Sequence, residues 1–241
     1  TVPFVSKAIG VPLAKIAALA MAGFSLRDLG FTREIRPRHV AVKEAVLPFT
    51  RFLGADILLS PEMKSTGEVM GIDMDAGIAY HKSQEAAGNP LPESGNILLS
   101  VCKRDQDAVV PMARTLADLG YTLYATDGTA TVLRQNGIKA RAVFKISQGR
   151  PNALDMIADG EVGWIINTPT GAAPQQDEVR MRIDAVMKGV PVTTTLNGLS
   201  AAIQGLQARQ RLRDMTVCSL QEYGRHTPYE LDITGLTARP D

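Results

Sequence analysis

From residue 96 to residue 206 the chain alternates without a break between short apolar runs of strand type and longer segments of helical period. The pattern predicts strands over 96–101, 121–125, 141–144, 163–167 and 191–194, with helices over 107–119, 129–135, 152–158, 177–188 and 197–206. Strands that each return through a helix run mainly parallel, because the right-handed crossover is the connection that packs back onto the same sheet. The expected fold class is therefore α/β: a five-stranded, mainly parallel, doubly wound sheet of Rossmann type. In such a sheet ligands sit beyond the carboxyl ends of the strands. That rule places Ser100, the turn 126–129, Lys145 with Ser147, and Asn167 with Thr168 on one rim.

The rim has the composition of an anion site. Thr126 and Thr129 bring hydroxyls to the start of a helix, whose first N–H groups and positive dipole end attract phosphate. Gly128 lets the backbone approach a ligand closely. Lys145 adds a full positive charge, Ser147, Gly149 and Arg150 further donors, and Asn167 can read a base or ribose edge. Each has an ordinary reading as well: threonine caps helices, a strand-end lysine is usually solvated, and asparagine makes turns. The convergence of four strand ends on one rim favours the binding reading. Catalysis is not expected there, because no histidine lies between Ser100 and Thr195, Asp105 reads as loop surface and Asp127 as a turn or cap.

A segment holding two prolines and two glycines, 88–95, separates this region from what precedes it. The expected organisation is a first unit over 1–87, a linker over 88–95, the α/β domain over 96–208 and a tail over 209–241. In the first unit a helix is expected over 12–22, ending at Gly23, and a strand over 40–49 with Pro48 near its end. The unit reads as having few elements and no core of its own. A net charge of +1 gives no basic field for nucleic acid or an anionic membrane. Two cysteines and three scattered histidines offer neither a disulfide framework nor metal-ligand spacing, so a reducing cytoplasm and no metal are expected. No apolar run is long enough to span a bilayer, and no basic-then-apolar leader opens the chain.

Two linked sets of motifs carry a family resemblance. Ile97-Leu-Leu-Ser-Val, Ala125-Thr-Asp-Gly-Thr-Ala, Gly149-Arg-Pro, Ile165-Ile-Asn-Thr and Thr194-Thr-Leu-Asn-Gly resemble the methylglyoxal-synthase-like regulatory domain at the carboxyl end of carbamoyl phosphate synthase large subunits. Upstream, Thr1-Val-Pro-Phe-Val-Ser-Lys-Ala, Gly10-Val-Pro-Leu-Ala-Lys, Val42-Lys-Glu-Ala-Val-Leu-Pro-Phe and Pro61-Glu-Met-Lys-Ser-Thr-Gly-Glu-Val-Met-Gly resemble the end of the second ATP-grasp unit of that subunit. The resemblance covers roughly residues 1 to 205. It implies an enzyme that makes carbamoyl phosphate from bicarbonate, ammonia and ATP for pyrimidine and arginine biosynthesis. ATP with Mg or Mn would serve the complete subunit, with a glutaminase small subunit, upstream ATP-grasp units and a homo-oligomer as partners.

For this chain alone the resemblance implies no catalytic residues and no cofactor, since the family's Glu-x-Asn-Pro-Arg segment and nucleotide-binding subdomains lie upstream of its residues. It implies an allosteric effector, UMP or IMP, held by Ser100, Thr126, Gly128, Thr129, Lys145, Asn167 and Thr168. Two positions depart from many members, which have Lys where this chain has Gln106 and a second Thr where it has Pro169. Losing one cation and one hydroxyl would cost about 1–3 kcal/mol of ligand contact. Of the groups that hold ornithine in some members, Glu44 and Thr194 are kept, while Tyr-Asp is replaced by Val192-Thr193. Two alternatives stay open: a methylglyoxal synthase-type lyase acting on a triose phosphate, which would need an acid and base absent from Val101-Cys-Lys-Arg-Asp and Ser147-Gln-Gly-Arg-Pro-Asn, or an interaction module whose nucleotide site has decayed.

Overall fold

The structure is a computed structural model, and it describes residues 1–48, 56–58, 65–169, 176–212, 215, 217–225, 229 and 231–232. Phe49, residues 61–64 of the upstream motif and most of the expected tail beyond residue 225 lie outside the described residues.

The chain opens with α1 (Val2–Ile9), which has Pro in its first turn and ends at Gly10 in the left-handed conformation, φ 71°. After α2 (Leu13–Met21), Val11, Ile16 and Leu29 form a small buried cluster of their own, packed by Phe24, Phe31 and Tyr229. The first unit thus has a small buried cluster, completed by Tyr229 and Leu231 of the tail. The antiparallel pair β1 (Val40–Val46) and β2 (Gly67–Asp73) follows, in the register Val40 to Asp73 and Val46 to Gly67. Helix α3 (Ala76–Ala86) is N-capped by Asp75, whose carboxylate accepts from the Gly77 and Ile78 amides at 2.8 and 3.1 Å. Neither β2 nor α3 is legible as an element in the sequence.

The reason is that glycines make this packing. A Cβ built on Gly71 would lie 1.9 Å from the Ala79 carbonyl oxygen and 2.5 Å from the Ser83 nitrogen, so β2 touches the backbone of α3. On its other side α3 meets the last long helix, where a Cβ on Gly77 would lie 2.6 Å from the Gln204 carbonyl oxygen. Such contacts leave no apolar stripe for a periodicity argument to find.

The α/β region comprises β3 (Asn96–Ser100), α4 (Gln106–Asp118), β4 (Thr122–Thr126), α5 (Asp127–Gln135), β5 (Arg141–Val143), α6 (Ala153–Ala158), β6 (Trp164–Asn167), α7 (Gln176–Met187), β7 (Val192–Thr193) and α8 (Leu196–Arg211). Among the described residues a short α9 (Leu220–Gly224) follows. The five strands lie in the order β5-β4-β3-β6-β7, and every pairing is parallel. The chain builds outward from β3 to β5, then crosses back to lay β6 against the other side of β3, which makes the β3–β6 border the switch point. Side chains alternate across the sheet as strands require. Ile97, Leu99, Trp164 and Ile166 pack with residues of α4, α5 and α8, while Leu98 and Ile165 pack with residues of α6 and α7. The expected linker joins the first of these cores through buried Leu91, and the Pro92 carbonyl accepts the Tyr121 hydroxyl at 2.5 Å.

Candidate functional site

Strand β4 passes into α5 with no residue between them, so the helix begins at Asp127, two residues earlier than its period indicates. Thr126 is its N-cap and makes no side-chain capping bond. Gly128 falls in the first turn, where a Cβ would come 3.1 Å from the Gln106 amide nitrogen. The first-turn amides, which a helix leaves without intrahelical partners, lie at the carboxyl end of the sheet beside the Gln106 side chain.

A cavity of about 210 Å³ opens at this point. Its walls include Ser100, Thr126, Gly128, Thr129 and Lys145, five of the seven positions expected to bind a nucleotide. Lys103, Gln106, Asp177 and Glu178 complete its polar lining, and Cys102, Ile146 and Met181 its apolar side. Lys145 follows β5 and is exposed, with its backbone amide donating to the Gln148 side chain at 3.0 Å. A roomier groove of about 720 Å³ lies at the amino ends of β4 and β5, lined by Tyr121, Arg134 and Arg141. The smaller cavity is the better site of the two, because there a helix N-terminus, strand carboxyl ends and cations meet.

Asn167 and Thr168 do not line the cavity; they are buried behind it. Thr168 accepts the Cys102 amide at 3.0 Å, and Thr129 accepts the Val101 amide at 3.2 Å. Asn167 donates to the Ser100 carbonyl at 2.9 Å. Three side chains from different elements thus fix the peptide run 100–102 that forms the cavity wall. Asp105 is not free loop surface: it accepts from Arg104 and from the Cys102 thiol, both at 3.1 Å, and the Arg104 guanidinium, then the Cys102 thiol, hold its carboxyl below the usual range. Arg150 turns away to pair with Asp155 at 2.9 Å, and the Ser147 amide donates to Asp177 at 3.0 Å.

Glu44 and Thr194 lie outside the lining of the cavity. Glu44 accepts from Gln84 of α3 at 2.9 Å. Next to it the Tyr80 phenol is pushed up to about 12, by burial first and by the Glu44 carboxylate second. Thr193 accepts the Trp164 indole N–H at 3.0 Å.

Residues 108–194 match the MGS-like domain family. The carbamoyl phosphate synthase large chain of Archaeoglobus fulgidus is 52% identical over 224 residues, which are 92% of this chain and 21% of that protein. The chain is homologous to the C-terminal region of these large chains. Large chains from Nostoc sp. (46% identical, 92% of this chain, 20% of that protein) and Methanoregula boonei (49%, 93% and 21%) agree. The chain spans about a fifth of the length of these relatives. A solved methylglyoxal synthase from Elizabethkingia anophelis matches with a TM-score of 0.40 and 19% identity, over 47% of this chain and 79% of that one. The span that matches the MGS-like domain family takes in Thr126, Gly128, Thr129, Lys145 and the acidic pair Asp177 and Glu178 of the cavity lining, while Ser100 to Gln106 precede it.

Sequence reasoning missed Lys103, Asp177, Glu178 and, behind the cavity, Arg182. Asp177 and Glu178 carried a signal, as acidic residues in the first turn of a helix expected to start at the rim. Arg182 carried none: a charged residue in a helix reads as solvated until its partner is known.

Proposed function

We propose that this chain is the effector-binding portion of a carbamoyl phosphate synthase large chain, and that its cavity binds a nucleoside monophosphate, UMP or IMP. The observation that supports this reading is the convergence of the α5 N-terminus, the Thr126 hydroxyl and the Lys145 ammonium on one cavity. The phosphate occupies the first turn of α5, with Lys145 neutralising it. At about 210 Å³ the space suits the phosphate and sugar, and the base lies toward the open mouth. Asp177 and Glu178 on the facing wall accept from ribose hydroxyls or a base N–H while repelling a second phosphate. Residues 1–87 are the end of the second ATP-grasp unit. The whole protein makes carbamoyl phosphate from bicarbonate and glutamine-derived ammonia, using ATP and Mg or Mn with a glutaminase small subunit. Effector binding shifts the balance between two arrangements of the cavity wall and thereby biases the ATP-grasp unit.

Calorimetric titration of the chain with UMP, then IMP, tests the reading. Saturable binding is expected, weakened by about ten- to a hundredfold in Lys145→Ala, the range for a charge-assisted hydrogen bond. Absence of binding by either nucleotide would sink it. The carboxylates in the cavity favour a second reading, a lyase that abstracts a proton from a triose phosphate. Dihydroxyacetone phosphate in the same titration, followed for turnover, decides between them. The isolated chain is expected to show no bicarbonate-dependent ATP hydrolysis, and a rate above that of a buffer control would contradict that assignment.

A further inference from the structure

Arg182, on α7, is 0% exposed and carries a charge that the cavity does not use directly. Each of its three guanidinium nitrogens donates a hydrogen bond. Nε donates to one oxygen of Asp56 at 2.7 Å, a second nitrogen reaches the other oxygen of that carboxylate, and the third donates to Asn167 Oδ1 at 2.6 Å. Asp56 belongs to the N-terminal unit, 126 residues away in sequence, and its side chain is 19% exposed. A buried guanidinium without its carboxylate would be an uncompensated charge, so this fork is needed to keep Arg182 where it is.

The fork has a direction. Arginine can only donate, so Asn167 must present its oxygen to Arg182, and its amide nitrogen is left to face the Ser100 carbonyl, where it donates at 2.9 Å. The amide of Asn167 therefore cannot flip while Arg182 is in place. Ser100 lines the cavity, and the next two peptides are held by Thr129 and Thr168. Asp56, Arg182, Asn167 and the Ser100 peptide form one continuous chain of hydrogen bonds. It runs from the N-terminal unit, through the sheet at its switch point, to the wall of the cavity.

We propose that Asp56 is a positioning residue for the cavity: through Arg182 and Asn167 it fixes the end of β3, and ligand affinity depends on it although it touches no ligand. The inference rests on the nucleotide reading of the cavity and adds the route by which the N-terminal unit and the cavity are coupled. Coupling of this kind is reciprocal, so a ligand that prefers the ordered wall strengthens the hold of α7 on Asp56 by the same factor.

The test is calorimetric titration with UMP of the wild-type chain, Asp56→Asn and Arg182→Lys, with Leu116→Ala as a control that destabilises the fold on the far side of the sheet. Asp56→Asn and Arg182→Lys are each expected to weaken UMP binding about five- to twentyfold, with Leu116→Ala within twofold of wild type and Asp56→Glu restoring part of the affinity. Arg182→Lys keeps the charge, so it tests the geometry even where Asp56→Asn fails to fold. Wild-type binding with both variants unchanged would overturn the relay and leave the nucleotide reading standing. Tighter binding by Asp56→Asn would also overturn it, because Asp56 would then act by charge and not by position. Where the wild-type chain binds IMP and not UMP, the same comparison is read with IMP; a wild-type chain that binds neither would overturn the nucleotide reading itself, and the relay with it.

Discussion

Gly71→Ala is expected to destabilise the protein by about 3 kcal/mol or more, at or above the usual range for overpacking. The added methyl would meet the Ala79 carbonyl oxygen at 1.9 Å and the Ser83 nitrogen at 2.5 Å, and both are backbone atoms of α3 that no rotamer change can move aside. Helix α3 would have to lift from β2, which in turn would strain its contact with α8. Urea denaturation followed by the fluorescence of Trp164, the single tryptophan of the chain, gives the measurement. An unchanged midpoint would mean that β2 and α3 do not pack as described.

Trp164→Ala should cost about 3–5 kcal/mol, the range for truncating a buried aromatic side chain. The indole is 0% exposed and packs with Ile97, Leu99 and residues of α8 in the larger of the two sheet cores. Its N–H also ties down Thr193 at 3.0 Å, one of only two residues in β7. The edge strand therefore loses a side-chain anchor together with the core volume behind it. Far-UV circular dichroism in urea replaces fluorescence for this variant. A loss below about 1 kcal/mol would show that the site collapses around the gap, which a close-packed sheet core should not allow.

The five-stranded sheet was legible in the sequence because each strand and helix has its own period, and because the crossover rule leaves few ways to connect them. The cavity was legible for the same reason, since strand ends fall on one rim whatever the details of packing. Boundaries were less so: α5 starts directly at the end of β4, because Thr126 serves as both last strand residue and N-cap. What a rim residue does with its polar atoms was not legible. Thr129, Asn167 and Thr168 are the right types in the right place, yet each has a backbone group of the segment 100–102 as a partner. The β2–α3 unit escaped detection because its packing is written in glycine and alanine. Arg182 escaped because its carboxylate partner is remote in sequence.

The joint between α3 and α8 is made of main chain against main chain, with Gly77 facing the Gln204 carbonyl and Gly205 facing that of Gly77. At these closest points the neighbours are backbone carbonyls, which no change of rotamer can re-fit to a new partner. Recombination that transplants the α/β region into a different chain must carry α3 along or find the same glycines waiting. The unit of inheritance therefore begins near Asp75, upstream of the proline-rich connection that looks like the natural seam.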